Sequence, residues 1–117
     1  MRYALLINER PGSYDGLDGD QRAAITAEYM AVRRDGRTLT GARLEPGDTA
    51  TTVRDLDGEL LLTDGPFADT KEIFGGFFLV EAADLDEALE LARRIPALRM
   101  GGSVEVRPLA EYTEHLS

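Results

Sequence analysis

Thr63-Asp64-Gly65-Pro66-Phe67-Ala68-Asp69-Thr70-Lys71-Glu72-Ile73-Phe74-Gly75-Gly76-Phe77-Phe78-Leu79-Val80-Glu81 is the stretch around which the chain is organised. All four phenylalanines lie in it, between Phe67 and Phe78, and so does the only lysine, Lys71. Lys and Arg together number 13, so the other basic residues are all arginines. An ammonium is a compact point charge and a guanidinium a planar fork. The lone lysine therefore reads either as a need for that compact charge or as chance in an arginine-rich chain. Asp64-Gly65-Pro66-Phe67 reads as a tight exit from a strand. Asp can bond the backbone two residues on, Gly tolerates the restricted position before proline, and Pro fixes its own φ. Residues 69–72 fit one helical turn or an ordered loop, Gly75-Gly76 resets the backbone, and residues 77–82 are a strand.

Composition narrows the classes open to the chain. At 117 residues it is a single domain, residues 1–117, large enough for one hydrophobic core. A hydrophobic fraction of 43% and a charged fraction of 30% are those of a globular protein. The absence of cysteine removes disulfides, thiolate metal sites and thiol catalysis together. No apolar run approaches a membrane span, and Met1-Arg2-Tyr3 leads straight into a strand, so a cytoplasmic protein without membrane contact is expected. Acids outnumber bases 22 to 13, a net charge of −9 that opposes binding to nucleic acid.

Residues 3–8 form the first strand, with Tyr3, Leu5 and Ile7 on one face and Ala4 and Leu6 on the other. The loop over residues 9–19 carries Pro11, Gly12, Gly16 and Gly19, yet its glycine spacing fits no phosphate loop, and Asp15, Asp18 and Asp20 would repel an anion. Nor do those acids fit an EF-hand, and a solvated loop with a helix cap accounts for them. A helix over residues 20–35 ends at Gly36 as C-cap, with Ile25, Tyr29 and Val32 as its core stripe. Ala23, Ala27 and Met30 lie opposite, as helix formers on a solvent face. Residues 37–44 are the second strand. Residues 49–54 and 59–63 pair as a hairpin around Asp57-Gly58. Asp84 opens the second helix three residues before Glu87, Leu85, Ala88, Leu89 and Ala92 make its stripe, and Pro96 stops it. Residues 103–108 are the last strand and 112–117 a tail.

The order strand-helix-strand, hairpin, strand-helix-strand predicts an α+β fold: a ferredoxin-like antiparallel sheet, two helices on one face, and an inserted β-hairpin. Two helices can cover one sheet face only, whereas the first strand and the Phe77 strand are apolar on both. An uncovered apolar face calls for a partner, and a second copy about a two-fold axis is the commonest one. A homodimer through the helix-free face is therefore expected.

The words Thr-Asp-Gly-Pro-Phe-Ala-x-Thr-Lys-Glu followed by Gly-Gly-Phe, from Thr63 to Phe77, resemble the DGPF branch of the YCII-related family. Arg2-Tyr3-Ala4-Leu5-Leu6-Ile7 and Val104-Glu105-Val106-Arg107-Pro108-Leu109 fit the same likeness, which covers nearly the whole chain. The resemblance implies small bacterial proteins that pair as dimeric α/β barrels, with largely unassigned activity. Other branches carry a histidine on the first helix and an aspartate near the end of the second. This chain has no histidine on its first helix, and the second ends Ala92-Arg93-Arg94-Ile95-Pro96, so that dyad is missing.

No Ser-His-Asp set can be built either, because the one histidine is His115 in the tail. Carboxylates, one lysine and arginines remain. Asp64, Asp69, Lys71 and Glu72 beside Phe67 offer acid/base and anchoring groups for a cleft, and Arg43 offers a hold on an anion. Turn chemistry explains Asp64, Pro66 and Phe67 fully by itself, which favours a structural duty for them, whereas it explains Lys71 and Glu72 less well. The candidate ligand-binding residues are thus Arg43, Asp64, Phe67, Lys71 and Glu72, with no metal and no cofactor expected. Two functions compete. One is the binding of a small, anionic molecule in a cleft beside the Thr63–Phe77 motif, with or without catalysis. The other is a non-catalytic accessory or regulatory module, which the resemblance links to extracytoplasmic-function sigma factors.

Overall fold

The structure, a computed structural model, describes residues 1–65 and 72–110. Strand β1 (Arg2–Glu9) leads to helix α1 (Gly19–Arg34), strand β2 (Thr38–Arg43), a hairpin of β3 (Thr51–Leu56) and β4 (Glu59–Asp64), strand β5 (Ile73–Glu81), helix α2 (Leu85–Ala92) and strand β6 (Ser103–Pro108). Short 3₁₀ turns cover Gly47–Thr49 and Pro96–Met100. The main sheet runs β2-β5-β1-β6, antiparallel throughout, which is the ferredoxin-like arrangement. Among the described residues no helix is long and apolar enough to cross a membrane.

Alternation along β1 sorts the sheet into two faces. Tyr3, Leu5 and Ile7 join Phe78 and Val80 of β5 in one core with Val32 of α1 and Ala88, Leu91 and Ala92 of α2. Ile95 and Ala97 close that core beside α2. The opposite face carries Leu6 across from Phe77 and Ala4 across from Leu79. Leu6, Phe77 and Leu79 are half-buried there, outside the main core. Both faces of these strands are thus apolar, as their sequence predicts.

Local chemistry fixes the helix ends. Asp18 Oδ1 accepts from the Gln21 backbone N–H at 2.7 Å, while the Gln21 side chain accepts from the Asp18 N–H at 3.0 Å. This capping box satisfies two otherwise unpaired donors and is worth about 1 kcal/mol. At the other end the C-cap is Asp35 and not Gly36. Asp35 leaves the helix with extended backbone (ψ 137°), so no left-handed glycine is required. Its carboxylate accepts from the Arg37 N–H at 2.9 Å, Arg37 Nε at 2.9 Å and Nη2 at 3.0 Å, and Arg94 Nη1 at 3.1 Å. Helix α2 is capped as expected, Asp84 Oδ1 accepting from the Glu87 N–H at 2.9 Å. Its buried stripe is Ala88, Leu91 and Ala92, whereas Leu85 is exposed. The apolar run of this short helix has more than one three-and-four alternative, and Leu91 is the leucine of α2 that joins the core with Leu5.

Two further boundaries move. Strand β5 begins at Ile73, so Gly75-Gly76 lies inside the strand and does not precede it. The first hairpin strand starts and ends two residues later than the sequence suggests and the second, starting at Glu59 as expected, ends one residue later, around a turn with left-handed Asp57 (φ 54°) and Gly58 (φ 89°). That pair is the type I′ geometry Asp-Gly favours. The hairpin stands off the body: every residue of β3 and β4 except Thr52 is exposed, Leu60 and Leu62 by 73% and 65%. A radius of gyration of 16.2 Å, against about 13 Å for a compact chain of this length, accords with such an arm. The expected turn over residues 69–72 falls mostly outside the described residues, and the tail with His115 wholly so.

Candidate functional site

Glycines clear a hollow beneath α1. On the helix-covered face, Gly41 of β2 sits opposite Phe78 and Arg43 opposite Gly76. A Cβ on Gly41 would lie 2.5 Å from the Phe78 ring, and one on Gly76 2.6 Å from the Ala42 carbonyl oxygen. Bare backbone therefore forms the floor where side chains would otherwise fill the space. Thr26, Tyr29, Met30 and Arg33 of α1 make the roof, and Ile7 and Glu9 the inner wall, of a cavity of about 350 Å³. Met30 and Arg33 thus border a cavity, where the sequence suggests only a solvent face.

The hollow continues into a broader cleft of about 850 Å³, between the loop after β1, the segment 44–48 and Ile73–Gly75. Glu9, Arg43 and Gly75 line both spaces and mark the passage between them. Both volumes fall within the range of small-molecule sites. The loop wall is built, not slack: Arg22 of α1 donates from Nη2 to the Tyr14 carbonyl at 2.7 Å and from Nε to the Leu17 carbonyl at 3.3 Å. Tyr14 is thereby held where its ring meets the Arg43 guanidinium, 5.5 Å from the ring centroid. Such a contact aligns the guanidinium while leaving its N–H edge free to bind.

Electrostatics separate the hollow from the rest of the molecule. In a chain of net charge −9, its charged side chains are Arg33, Arg43 and Glu9. Tyr29 carries its hydroxyl into a solvent-sealed position without a well-aligned hydrogen bond. Burial raises the pKa of that phenol far above its ordinary value; neighbouring Tyr14 and Glu9 push the same way, and the Ala97 backbone amide opposes them. Tyr29 therefore stays protonated at any physiological pH.

The sequence-derived candidates divide. Arg43 stands at the junction of hollow and cleft. Asp64 lies at the base of the hairpin, paired with Thr51, and lines neither space. Glu72 accepts a 2.7 Å hydrogen bond from the Ser103 hydroxyl, which ties the end of the motif to β6, and it also lies outside both linings. Phe67 and Lys71 fall outside the described residues. Glu9, Tyr14 and Tyr29 are the site residues that sequence reasoning missed. The usable signal was Gly75-Gly76 within a strand, which marks close backbone approach or a bulge.

Comparison with known proteins supports this architecture. The profile of the YCII-related domain family matches residues 1–113. An uncharacterized protein of Rhizobium meliloti (strain 1021) is 39% identical over 117 residues, covering 96% of this chain and 94% of the relative. Among solved structures, the chain is similar to 5-chloro-2-hydroxyhydroquinone dehydrochlorinase of Burkholderia phenoliruptrix AC1100 in complex with 2,5-dihydroxybenzoquinone. That likeness has a TM-score of 0.54 and 20% identity over 98% of both chains. At that identity it speaks for the fold, which it shares from end to end. With the family profile spanning nearly the whole sequence and a relative matching end to end, the chain belongs to the YCII-related family.

Proposed function

We propose that the protein binds a small, ring-bearing anion in the hollow beneath α1, entering through the cleft beside the Thr63–Phe77 motif. The observation that carries this reading is Arg43. Its guanidinium is oriented by Tyr14 at the mouth of a cavity roofed by Tyr29 and Met30 and floored by glycine. A planar ring suits the apolar walls, and a carboxylate or enolate oxygen suits the fork. The dehydrochlorinase of the same fold was captured with a dihydroxybenzoquinone, which makes that compound a reasonable first probe. Calorimetric titration with 2,5-dihydroxybenzoquinone and small ring carboxylates should give micromolar binding, weakened at least tenfold by Arg43→Met. A panel without binding, or equal affinity in Arg43→Met, overturns the reading.

The same reading includes a homodimer through the helix-free face. Leu6, Phe77 and Leu79 form an apolar patch there that two helices on the other face leave uncovered. A charge buried in a two-fold interface meets its own copy, so Leu79→Glu should convert dimer to monomer in sedimentation at micromolar concentration. A native protein sedimenting as monomer counts against this part.

A second reading rests on the hairpin, whose Val53, Leu60 and Leu62 lie exposed on one face. An accessory or regulatory module could use that face to hold another protein. Replacing Leu60 and Leu62 with Ser separates the two, since ligand binding in the hollow should survive it.

A further inference from the structure

Strand β5 carries an irregularity at the site. Ile7 pairs with Gly76 and Asn8 with Phe74, which leaves Gly75 without a partner across β1. Such bulges re-aim neighbouring side chains and recur next to active sites. Here the beneficiary is Glu9. A Cβ on Gly75 would lie 2.7 Å from both Cδ and Oε1 of Glu9, so the carboxyl group rests against the backbone of the bulge. A side chain on Gly75 would push the Glu9 carboxyl group out of this position.

The placement sets Glu9 apart from the other half-buried carboxylates. Asp35 is saturated by Arg37 and Arg94, and Glu72 takes the Ser103 hydroxyl. The Glu9 side chain makes no hydrogen bond or ion pair among the described residues, although the residue is half-buried and lines both hollow and cleft. The Glu9 side chain is thus open to a donor or a proton from a bound molecule. Tyr29 of α1, Tyr14 of the loop, Arg33 of α1 and Arg43 of β2 surround the same space.

We propose that Glu9 is a catalytic base acting on an enolisable ring carbonyl compound held by Arg43, an inference that rests on the ligand reading above. The Glu9 carboxylate takes a proton from the carbon next to the carbonyl. The C–H bond breaks, its electron pair becomes the C=C bond of an enolate, and the carbonyl π pair moves to oxygen, facing the Arg43 guanidinium. Neutral Glu9 then returns the proton to carbon, to the same position or to a conjugated one. Atoms and electrons balance without a co-reactant. The neighbouring Tyr29 phenol stays protonated, so Glu9 is the group available to accept a proton.

The test is deuterium uptake by 3-oxocyclohexane-1-carboxylate in D₂O, followed by NMR, with binding measured separately by calorimetry. The native protein should accelerate loss of the α-proton signals, and Glu9→Gln should lower that acceleration at least about a hundredfold, the lower end for general base catalysis. Glu9→Gln should bind the probe as well as or better than the native protein, since a negative charge has gone. Glu9→Asp, with the carboxylate drawn back by one methylene, should retain intermediate exchange, and it decides the matter should Glu9→Gln fail to fold. Binding without accelerated exchange, or undiminished exchange in Glu9→Gln, overturns the role of Glu9 and leaves the ligand reading standing. Absence of binding by both this ketone and 2,5-dihydroxybenzoquinone overturns the two together.

Discussion

Two polar clusters beside helix α1 offer the same ingredients and opposite outcomes. At its C-terminal end Asp35 meets Arg37 and Arg94, and its carboxylate accepts four hydrogen bonds. Beneath the helix, on the sheet face it covers, Glu9, Arg43 and Tyr29 gather around a cavity, and among the described residues neither the Glu9 side chain nor the Tyr29 hydroxyl has a hydrogen-bond partner. In the first cluster polar groups are spent on structure: they stop a helix and pin it to the segment that follows α2. In the second, glycines at 41, 75 and 76 remove the side chains that would have filled the space, and polar groups are left unsatisfied. A fold that satisfies one cluster fully and the other hardly at all has placed its unused bonding capacity where a ligand could take it up.

If that contrast is real, the packed region should be far less tolerant than the hollow. Leu91 is wholly buried against Leu5 and Val32, and Leu91→Ala should cost about 2–5 kcal/mol in denaturant unfolding. Met30→Ala, on the roof of the hollow and 39% exposed, should cost under about 1 kcal/mol. Equal losses would mean that the hollow is as tightly packed as the core.

Replacing the acid by its amide in each cluster sharpens the comparison. Asp35→Asn should lose about 1–3 kcal/mol, since hydrogen bonds to a charged group are the stronger kind and the side chain is only 17% exposed. Hydrogen bonds from Arg37 hold the Asp35 carboxyl well below its ordinary value of 3.8. Its contribution is therefore fully present above that value and is lost as pH falls through the lower, folded one. The native protein should lose stability below about pH 4 more steeply than Asp35→Asn, as acid-induced unfolding would record. Glu9→Gln should shift stability by under about 0.5 kcal/mol at pH 7, because no partner is lost.

The sheet and its two apolar faces were legible because period-two alternation in Tyr3–Ile7 and Phe77–Val80 is a strong local signal, as is Asp57-Gly58 for the hairpin turn. Arg43 was legible as an arginine on a strand whose neighbours face the sheet. Glu9 and Tyr29 were not. Glu9 read as the start of a loop and Tyr29 as one of three core residues on a helical stripe. Nothing local distinguishes a tyrosine that fills a core from one that roofs a cavity. That difference depends on Gly41 and Gly76 standing across from it, and pairing 41 with 78 and 43 with 76 is a matter of register. The Gly36 cap failed for a related reason: Asp35 can leave the helix in extended backbone because Arg37 and Arg94, one of them 59 residues away, secure its carboxylate.

An effect near zero or of opposite sign gives the most direct test of the unsatisfied cluster. Tyr29→Phe deletes one oxygen and keeps the ring that roofs the hollow. A hydroxyl in a good hydrogen bond contributes about 1 kcal/mol, and removing it leaves a buried partner unpaired at further cost. A buried hydroxyl without a partner is instead a standing penalty, so its removal should be neutral or should stabilise by a few tenths of a kcal/mol up to about 1. The Tyr29 oxygen is sealed from solvent and unpaired, with Tyr14, Glu9 and the Ala97 amide as polar neighbours. The expected result is an unchanged or raised midpoint in urea with an unchanged slope. A loss above about 1 kcal/mol would show that Tyr29 is bonded in solution and belongs with Asp35 among the satisfied groups. The same variant should bind 2,5-dihydroxybenzoquinone with altered affinity if that hydroxyl is part of the site, so that stability and binding move independently.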